Sequence, residues 1–483
     1  MTSLLDMPTP AFYIGGRWLQ PADAERASVI DPATTEPISE VPITDVATCV
    51  SAVDAAGAAL PGWAATPPRE RSEILRHTWE LMVEHRERLA GTIVAENGKA
   101  LADARSEIDY AAEFFRWFSE EAVRIHGDLR RSPSGTNWLL VSREPAGVAL
   151  LVTPWNYPAA MATRKLAPAL AAGCTVVLKP AMETPLTALA VVELLEEAGV
   201  PPGVVNLVTP RPAGPAVAAM LADPRVRVLS FTGSTEVGRT LLATAAPNVV
   251  RCSMELGGNA PFLVLDNAYL DDAVEGLMLA KLRNGGSACT AANRVLLHEA
   301  IADPFTDRFV EKMGQVRWGD GRDPDVQLGA LVNAPTRATV DELVRQAIRD
   351  GATLQLGGYV PDRRGYFYPP TVLTGVAADA AILHTEIFGP VAPIVQFDTI
   401  DKMISAANAT EAGLIAYLYT RDLERGLHVS RRLRAGMVGL NRGVVSDPAA
   451  PFGGVKHSGL GREGAEEGIQ EFLDIKYTAT PYT

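Results

Sequence analysis

Two short stretches carry residue types that could do covalent chemistry. In Lys281-Leu-Arg-Asn-Gly-Gly-Ser-Ala-Cys-Thr290, Cys289 follows a Gly-Gly pair that closes an amphipathic run from Asp271 to Leu282. That pattern predicts a helix end and a sharp turn, a place to present a thiol. Taken alone, a cysteine is more often a small buried hydrophobe. Its company changes the reading, because Met254-Glu-Leu-Gly-Gly258 sets a carboxylate, Glu255, against a second Gly-Gly turn. A thiol nucleophile, a carboxylate base and glycine-rich backbone whose N–H groups can face a reacting oxygen are the parts of a nucleophilic site.

A third stretch suggests phosphate. After the apolar run Val226-Arg-Val-Leu-Ser-Phe231 comes Thr232-Gly-Ser-Thr-Glu-Val-Gly238. Gly233 and Ser234 would there offer N–H groups and the positive end of a helix dipole to a pyrophosphate. The G-x-x-x-x-G spacing differs from the usual G-x-G-x-x-G, and a plain strand-to-helix turn accounts for it equally well. Lys179 ends an apolar strand just before Pro180, where open parallel sheets bind ligands; a solvated strand-end lysine is the alternative.

Periodicity supplies the elements that must hold these residues. A hairpin is expected over Phe12 to Leu19, one helix from Thr66-Pro-Pro-Arg to a stop near Asn97-Gly98, and another from Ala100 to Ile125. The aromatics of the latter (Tyr110, Phe114, Phe115, Trp117, Phe118) recur at helical spacing and read as core. Two strands are expected between Trp138 and Val152, flanking Glu144-Pro-Ala-Gly147. Strands at 175–179, 204–208 and 226–231 then alternate with helices near 159–170, 185–198 and 213–221. Alternation of this kind predicts a parallel, doubly wound α/β sheet. A second series of the same class runs from strand 262–265 through helices 271–282 and 300–316 to strand 437–440.

Composition excludes several classes. With 483 residues and 47% hydrophobic content the chain is too long for one core, so two or three domains are expected. A net charge of −13 with no basic stripe argues against nucleic acid as partner. Cys49, Cys174, Cys252 and Cys289 show no C-x-x-C spacing and the histidines no H-E-x-x-H, which points away from disulfides and zinc and towards a reducing cytoplasm. The Met1-to-Pro8 start lacks a signal pattern, and the most apolar stretch, 159–178, is broken by Arg164, Lys165 and Pro168. Neither export nor a membrane span is expected.

Seven motifs in order carry a resemblance that covers nearly the whole chain: Thr153-Pro-Trp-Asn-Tyr-Pro158, Val177-Leu-Lys-Pro180, Phe231-Thr-Gly-Ser234, Met254-Glu-Leu-Gly-Gly-Asn259, Gly285-Gly-Ser-Ala-Cys289, Glu386-Ile-Phe-Gly-Pro390 and Pro451-Phe-Gly-Gly-Val-Lys-His-Ser-Gly459. The chain resembles the aldehyde dehydrogenase superfamily and is most similar to succinate-semialdehyde dehydrogenases. The resemblance implies two doubly wound domains and a small β oligomerisation sheet. The dinucleotide-binding domain would span 1–125 and 146–256, the catalytic domain 257–459, and the sheet 126–145 and 460–483. A homodimer or homotetramer is implied, and an unpaired C-terminal strand would in any case be an exposed edge.

By the same resemblance, Cys289 attacks an aldehyde to give a thiohemiacetal held by the Asn156 amide and its own N–H. Hydride passes to NAD or NADP, and Glu255 activates the water that hydrolyses the thioester. Glu386 and Phe388 would hold the nicotinamide ribose and ring, with Trp155 and Lys179 on the adenosine side. Thr153, Pro154, Met182, Gly233, Ser234 and Leu256 complete the implied cofactor set. Arg164, Arg283 and Ser446 match the positions that clamp a semialdehyde's carboxylate.

Four departures bear on specificity. Ser287-Ala288 replaces a Gln-Thr or Gln-Val pair, opening the substrate mouth. Ala291 replaces a second cysteine, Met182 replaces the ribose-binding glutamate of NAD enzymes so that NADP should be accepted, and Arg442 adds a cation. A coenzyme A-dependent acylating relative would discard Glu255, and a structural homologue of the lens type would lose Cys289 or Glu255. Both residues are present.

Overall fold

The computed structural model describes residues 7–482. Most of the Met1–Pro8 start, read above for a targeting signal, lies outside them. Among the described residues no helix is long and apolar enough to cross a membrane.

The first sheet has eight strands, in the order Gly459–Leu460, Arg251–Glu255, Val226–Thr232, Val148–Val152, Thr175–Lys179, Val205–Leu207, Phe12–Ile14 and Arg17–Leu19. Its five central strands run parallel, and antiparallel pairs close both edges. Val148–Val152 is buried at every position, as a β-branched, leucine-rich strand covered on both faces must be. The helices Pro158–Ala172 and Pro185–Glu197 each begin with proline at the first helical position and are almost wholly buried against this sheet and the N-terminal helices.

The second sheet has seven strands, ordered Thr353–Leu356, Thr371–Thr374, Val391–Phe397, Ala292–His298, Ala260–Val264, Ile415–Tyr419 and Met437–Leu440. All are parallel except the first. A third, antiparallel sheet joins Leu473–Pro481 to Asn137–Pro145 and Asp128–Arg131.

Three expectations need correction. The single helix expected from Thr66 to Asn97 is two, Pro68–Glu84 and Arg86–Asn97, separated at His85. The first is amphipathic, whereas Leu89 to Asn97 is buried on every side, and one straight helix cannot do both. Gly459–Leu460 pairs with Arg251–Glu255 in the first sheet, so the Pro451-to-Gly459 motif returns to the cofactor side. The strand Asp128–Arg131 was not anticipated, because it is exposed at every position and its sequence carries no alternation.

Candidate active site

The helix Leu270–Leu282 ends in three successive left-handed residues, Asn284 (φ 55°), Gly285 (φ 62°) and Gly286 (φ 76°). The chain doubles back through Cys289 into the strand Ala292–His298. Glycine is required at two contacts here. A Cβ on Gly286 would lie 2.2 Å from the Gly389 carbonyl oxygen, and one on Gly258 would lie 2.2 Å from the Cys289 carbonyl oxygen. The turn after Glu255 therefore packs directly on the nucleophile's backbone. Cys289 remains partly exposed, into a cavity of about 240 Å³ that it shares with Trp155, Asn156, Glu386 and Phe388.

The loop bearing Asn156 is fixed from the N-terminal helices. Lys99 Nζ donates to Glu107 Oε2 (2.6 Å) and to the Asn156 carbonyl (2.8 Å), with the Lys99 side chain only 2% exposed. Glu107 Oε1 accepts from the N–H groups of Ala159 and Ala160 at the start of the next helix. Asn97 Nδ2 donates to the Trp155 carbonyl. Across the gap, Asn284 donates its amide to the carbonyls of Asn156 and Ser287, both at 2.8 Å, and its N–H to Asp103. Asn156 Nδ2 in turn donates to the Ser287 carbonyl, two residues before the thiol. The Asn156 loop and the Cys289 loop are thus bound to one another. Neither Asn284, Lys99, Asp103 nor Glu107 was singled out from the sequence, since scattered polar residues carry no signal of contact.

Burial pushes the Cys289 thiol up to about 12, with Glu386 reinforcing and Arg164 opposing, and Glu255 and Glu463 adding to the rise. The helix-end turn does not produce a resting thiolate, so the proton must be removed. Glu255, at the end of Arg251–Glu255, is 2% exposed and both carboxylate oxygens lack a hydrogen bond. Burial and then the Glu463 charge hold it well above the usual carboxylate range, against Arg164, Lys165 and Arg462. A carboxyl with no competing donors and a raised pKa suits a general base working near neutrality. Behind it, Lys165 Nζ donates to Glu463 (2.5 Å) and to Ser230 Oγ (3.0 Å).

The chemistry of the cavity's lining suits one part of a dinucleotide. Ser234 caps the helix Thr235–Ala245, accepting from the Val237 N–H, so the positive helix end faces the cavity at Gly233 and Ser234. Leu256 and Pro154 line the same space. Glu386 accepts from the Gly258 N–H (3.1 Å) and is raised to about 7 by burial. Phe388 holds φ 56°, a strained value for an aromatic residue, and meets Trp155 edge-on at 5.4 Å. Trp155 thus lines the cavity that holds Cys289 and meets Phe388 there. Lys179 and Met182 are half-buried beyond the end of Thr175–Lys179, and the Lys179 carbonyl accepts from the N–H of buried Thr153.

Among the expected anion-binding residues, Arg164 is buried and its Nε lies 2.8 Å from Glu463 Oε2, so part of its charge is spent. Arg283 lies beside the rings of Tyr110 (5.9 Å) and Tyr157 (5.5 Å). Ser446 is half-buried in the loop after Met437–Leu440, and Arg442 is exposed, its charge felt by Tyr419. Ser287 Oγ donates to the Phe388 carbonyl (3.3 Å), and Ala288 packs into the core. Tyr110, read as core, is only half-buried and reaches this site.

Residues 18–478 match the model of the Aldehyde dehydrogenase family. The chain is 52% identical to a succinate-semialdehyde dehydrogenase of Paenarthrobacter nicotinovorans, covering 90% of this chain and 97% of that one. It is 46% identical to the NADP-dependent succinate-semialdehyde dehydrogenase of Escherichia coli (strain K12), over 96% of both. A 3-sulfolactaldehyde dehydrogenase of Pseudomonas putida is 44% identical, over 96% of both chains. The crystal structure of a succinate-semialdehyde dehydrogenase from Burkholderia pseudomallei superposes with a TM-score of 0.97 at 44% identity, covering 100% of this chain and 99% of that one.

A thiol titrating near 12 makes one expectation independent of turnover. Alkylation of Cys289, followed on its own peptide, should accelerate about tenfold per pH unit up to about pH 10. A plateau near neutrality would show a resting thiolate instead.

Proposed function

The chain belongs to the aldehyde dehydrogenase family and is an NAD(P)-dependent aldehyde dehydrogenase, and we propose that its substrate is an aldehyde with a distal carboxylate, succinate semialdehyde foremost. The observation that carries this reading is Arg283. It is half-buried beside the rings of Tyr110 and Tyr157, and its guanidinium holds no salt bridge or hydrogen bond among the described residues, with the Asp103 charge acting on it from a distance. A guanidinium with no direct partner is free to take up a carboxylate through charge-assisted hydrogen bonds. Arg164 keeps Nη2 unpartnered and, like Arg283, acts on Tyr110, and Ser446 is proposed as a further contact.

In the proposed mechanism Cys289 Sγ bonds to the aldehyde carbon as Glu255 takes the thiol proton and passes it to solvent. The Asn156 amide and the Cys289 N–H stabilise the oxyanion, an arrangement worth roughly 3–4 kcal/mol per donor. Bound nicotinamide supplies the hydride acceptor that makes the step an oxidation. Glu255, again a carboxylate, takes a proton from the water that attacks the thioester and returns it to the leaving sulfur, releasing the acid and restoring the thiol. Pro154, Trp155, Gly233, Ser234, Leu256, Glu386 and Phe388 would hold the cofactor's reactive end, and Thr153, Lys179 and Met182 its adenosine end.

Met182 offers no carboxylate to the ribose hydroxyl and no repulsion of a 2′-phosphate, which a glutamate there would repel by as much as about 4 kcal/mol. NADP is therefore the proposed cofactor. The first sheet is assigned to it, the second to catalysis, and the third to subunit contact, because Leu129, Leu140, Ile475 and Tyr477 stand exposed on that small sheet. A homodimer or homotetramer follows, which light scattering would reveal as two or four chain masses; a lone chain would refute it. Four free cysteines support a cytoplasmic location, open to cell fractionation.

Glu255→Gln should cut steady-state turnover about a hundredfold or more and, because the same carboxylate takes the thiol proton, should also slow the single burst of reduced cofactor. Wild-type turnover would place the base elsewhere. Arg283→Ala should raise KM for succinate semialdehyde about tenfold or more, and far less for butanal. Equal losses on both aldehydes would leave only a general aldehyde dehydrogenase, and 3-sulfolactaldehyde as the better substrate would move the reading to sulfonates. In the same assay NADP should match or exceed NAD in kcat/KM, and a preference for NAD of about a hundredfold would refute the role given to Met182.

A further inference from the structure

Tyr110 projects from the helix Leu101–Ala122, one turn before Phe114, and the two rings meet edge-to-face at 5.0 Å. Phe114 lies against the Arg164 guanidinium at 5.4 Å, and Arg283 lies 5.9 Å from the Tyr110 ring. The charges of both arginines act on the Tyr110 phenol. Its hydroxyl is buried and has no hydrogen-bond partner. The fully buried aromatic neighbours on this helix, Phe114, Phe115 and Phe118, are phenylalanines. Tyrosine in the same row adds only an O–H, and an unpartnered buried O–H is a cost that packing does not need.

Arg164 Nη2 and the Tyr110 hydroxyl are buried donors without an acceptor, and the Arg283 guanidinium has no hydrogen bond or ion pair among the described residues; the acceptors of this region without a hydrogen bond include carboxylate oxygens of Glu255 and Glu463. Burial keeps the Tyr110 phenol protonated, with the Arg164 and Arg283 charges opposing that rise. The Tyr157 hydroxyl is also unpartnered, but besides Arg283 it faces Asp103 and Glu107, which would repel an anion.

We propose that the Tyr110 hydroxyl is a specificity-determining donor to the distal oxyanion of the substrate, completing with Arg164 and Arg283 a three-donor site. The proposal rests on the reading of the substrate as an ω-carboxy aldehyde. The test compares kcat/KM for succinate semialdehyde and for butanal in the wild type, Tyr110→Phe and Arg283→Ala, at saturating cofactor. The preference for the semialdehyde should fall about tenfold or more in Tyr110→Phe, chiefly through KM. An unchanged preference in Tyr110→Phe alongside a lost one in Arg283→Ala would overturn the tyrosine's role alone. An equal loss on both aldehydes would assign Tyr110 to packing and overturn it too. A wild type without preference for the semialdehyde would overturn the substrate reading itself.

Discussion

A buried ammonium-carboxylate pair carries the rest of this site. Lys99 and Glu107 meet at 2.6 Å with side chains 2% and 0% exposed. Removing one partner of such a pair typically costs about 3–5 kcal/mol, because the other charge is left uncompensated. Here each partner also has a second engagement. The lysine grips the Asn156 carbonyl, and the glutamate satisfies two helix-start N–H groups that would otherwise be orphaned. The pair therefore sets where the 153–158 loop lies. Through Asn284 that loop in turn sets where Ser287 and Cys289 lie.

Rigidity of this kind requires burial, and burial dictates the electrostatics. The thiol at about 12, Glu386 at about 7 and the strongly raised Glu255 all reflect the cost of a charge away from water. Lys281 shows the same effect with opposite sign, pushed down to about 7 by burial while donating to the Gly389 carbonyl. The site holds little charge at rest and is arranged for proton movement, with the base left free of hydrogen bonds. Phe388 in its left-handed conformation is held by the Ser287 contact on one side and the Trp155 ring on the other. Strain of this sort persists only where neighbours enforce it.

The anion end follows another rule. Arg164 has Glu463, so one of the two expected clamps is half neutralised and Arg283 is the freer cation. A carboxylate reaching this end would meet a net positive surface made of one spent and one unspent guanidinium. Of the departures noted in the sequence, Ser287 donates to the Phe388 carbonyl, Ala288 packs in the core, and Arg442 is exposed with its charge acting on Tyr419.

Much of this was legible in the sequence, and for a definite reason. The parallel strands, the helix ends, Gly-Gly turns around Glu255 and Cys289, and the serine at a helix start are local features. Their signals are periodicity and backbone conformation, which neighbouring residues dictate. The break at His85, the strand Gly459–Leu460 in the first sheet and the strand Asp128–Arg131 were not legible, because long-range burial or pairing decided them. The same holds within the site. Cys289 and Glu255 could be singled out as candidate nucleophile and base from types and spacing. That the thiol rests protonated, that Trp155 meets Phe388, that Arg164 is paired and that Tyr110 lies beside Arg283 could not. Each depends on which distant side chains share a buried volume, and desolvation and pairing are properties of that volume, not of the chain on either side of a residue.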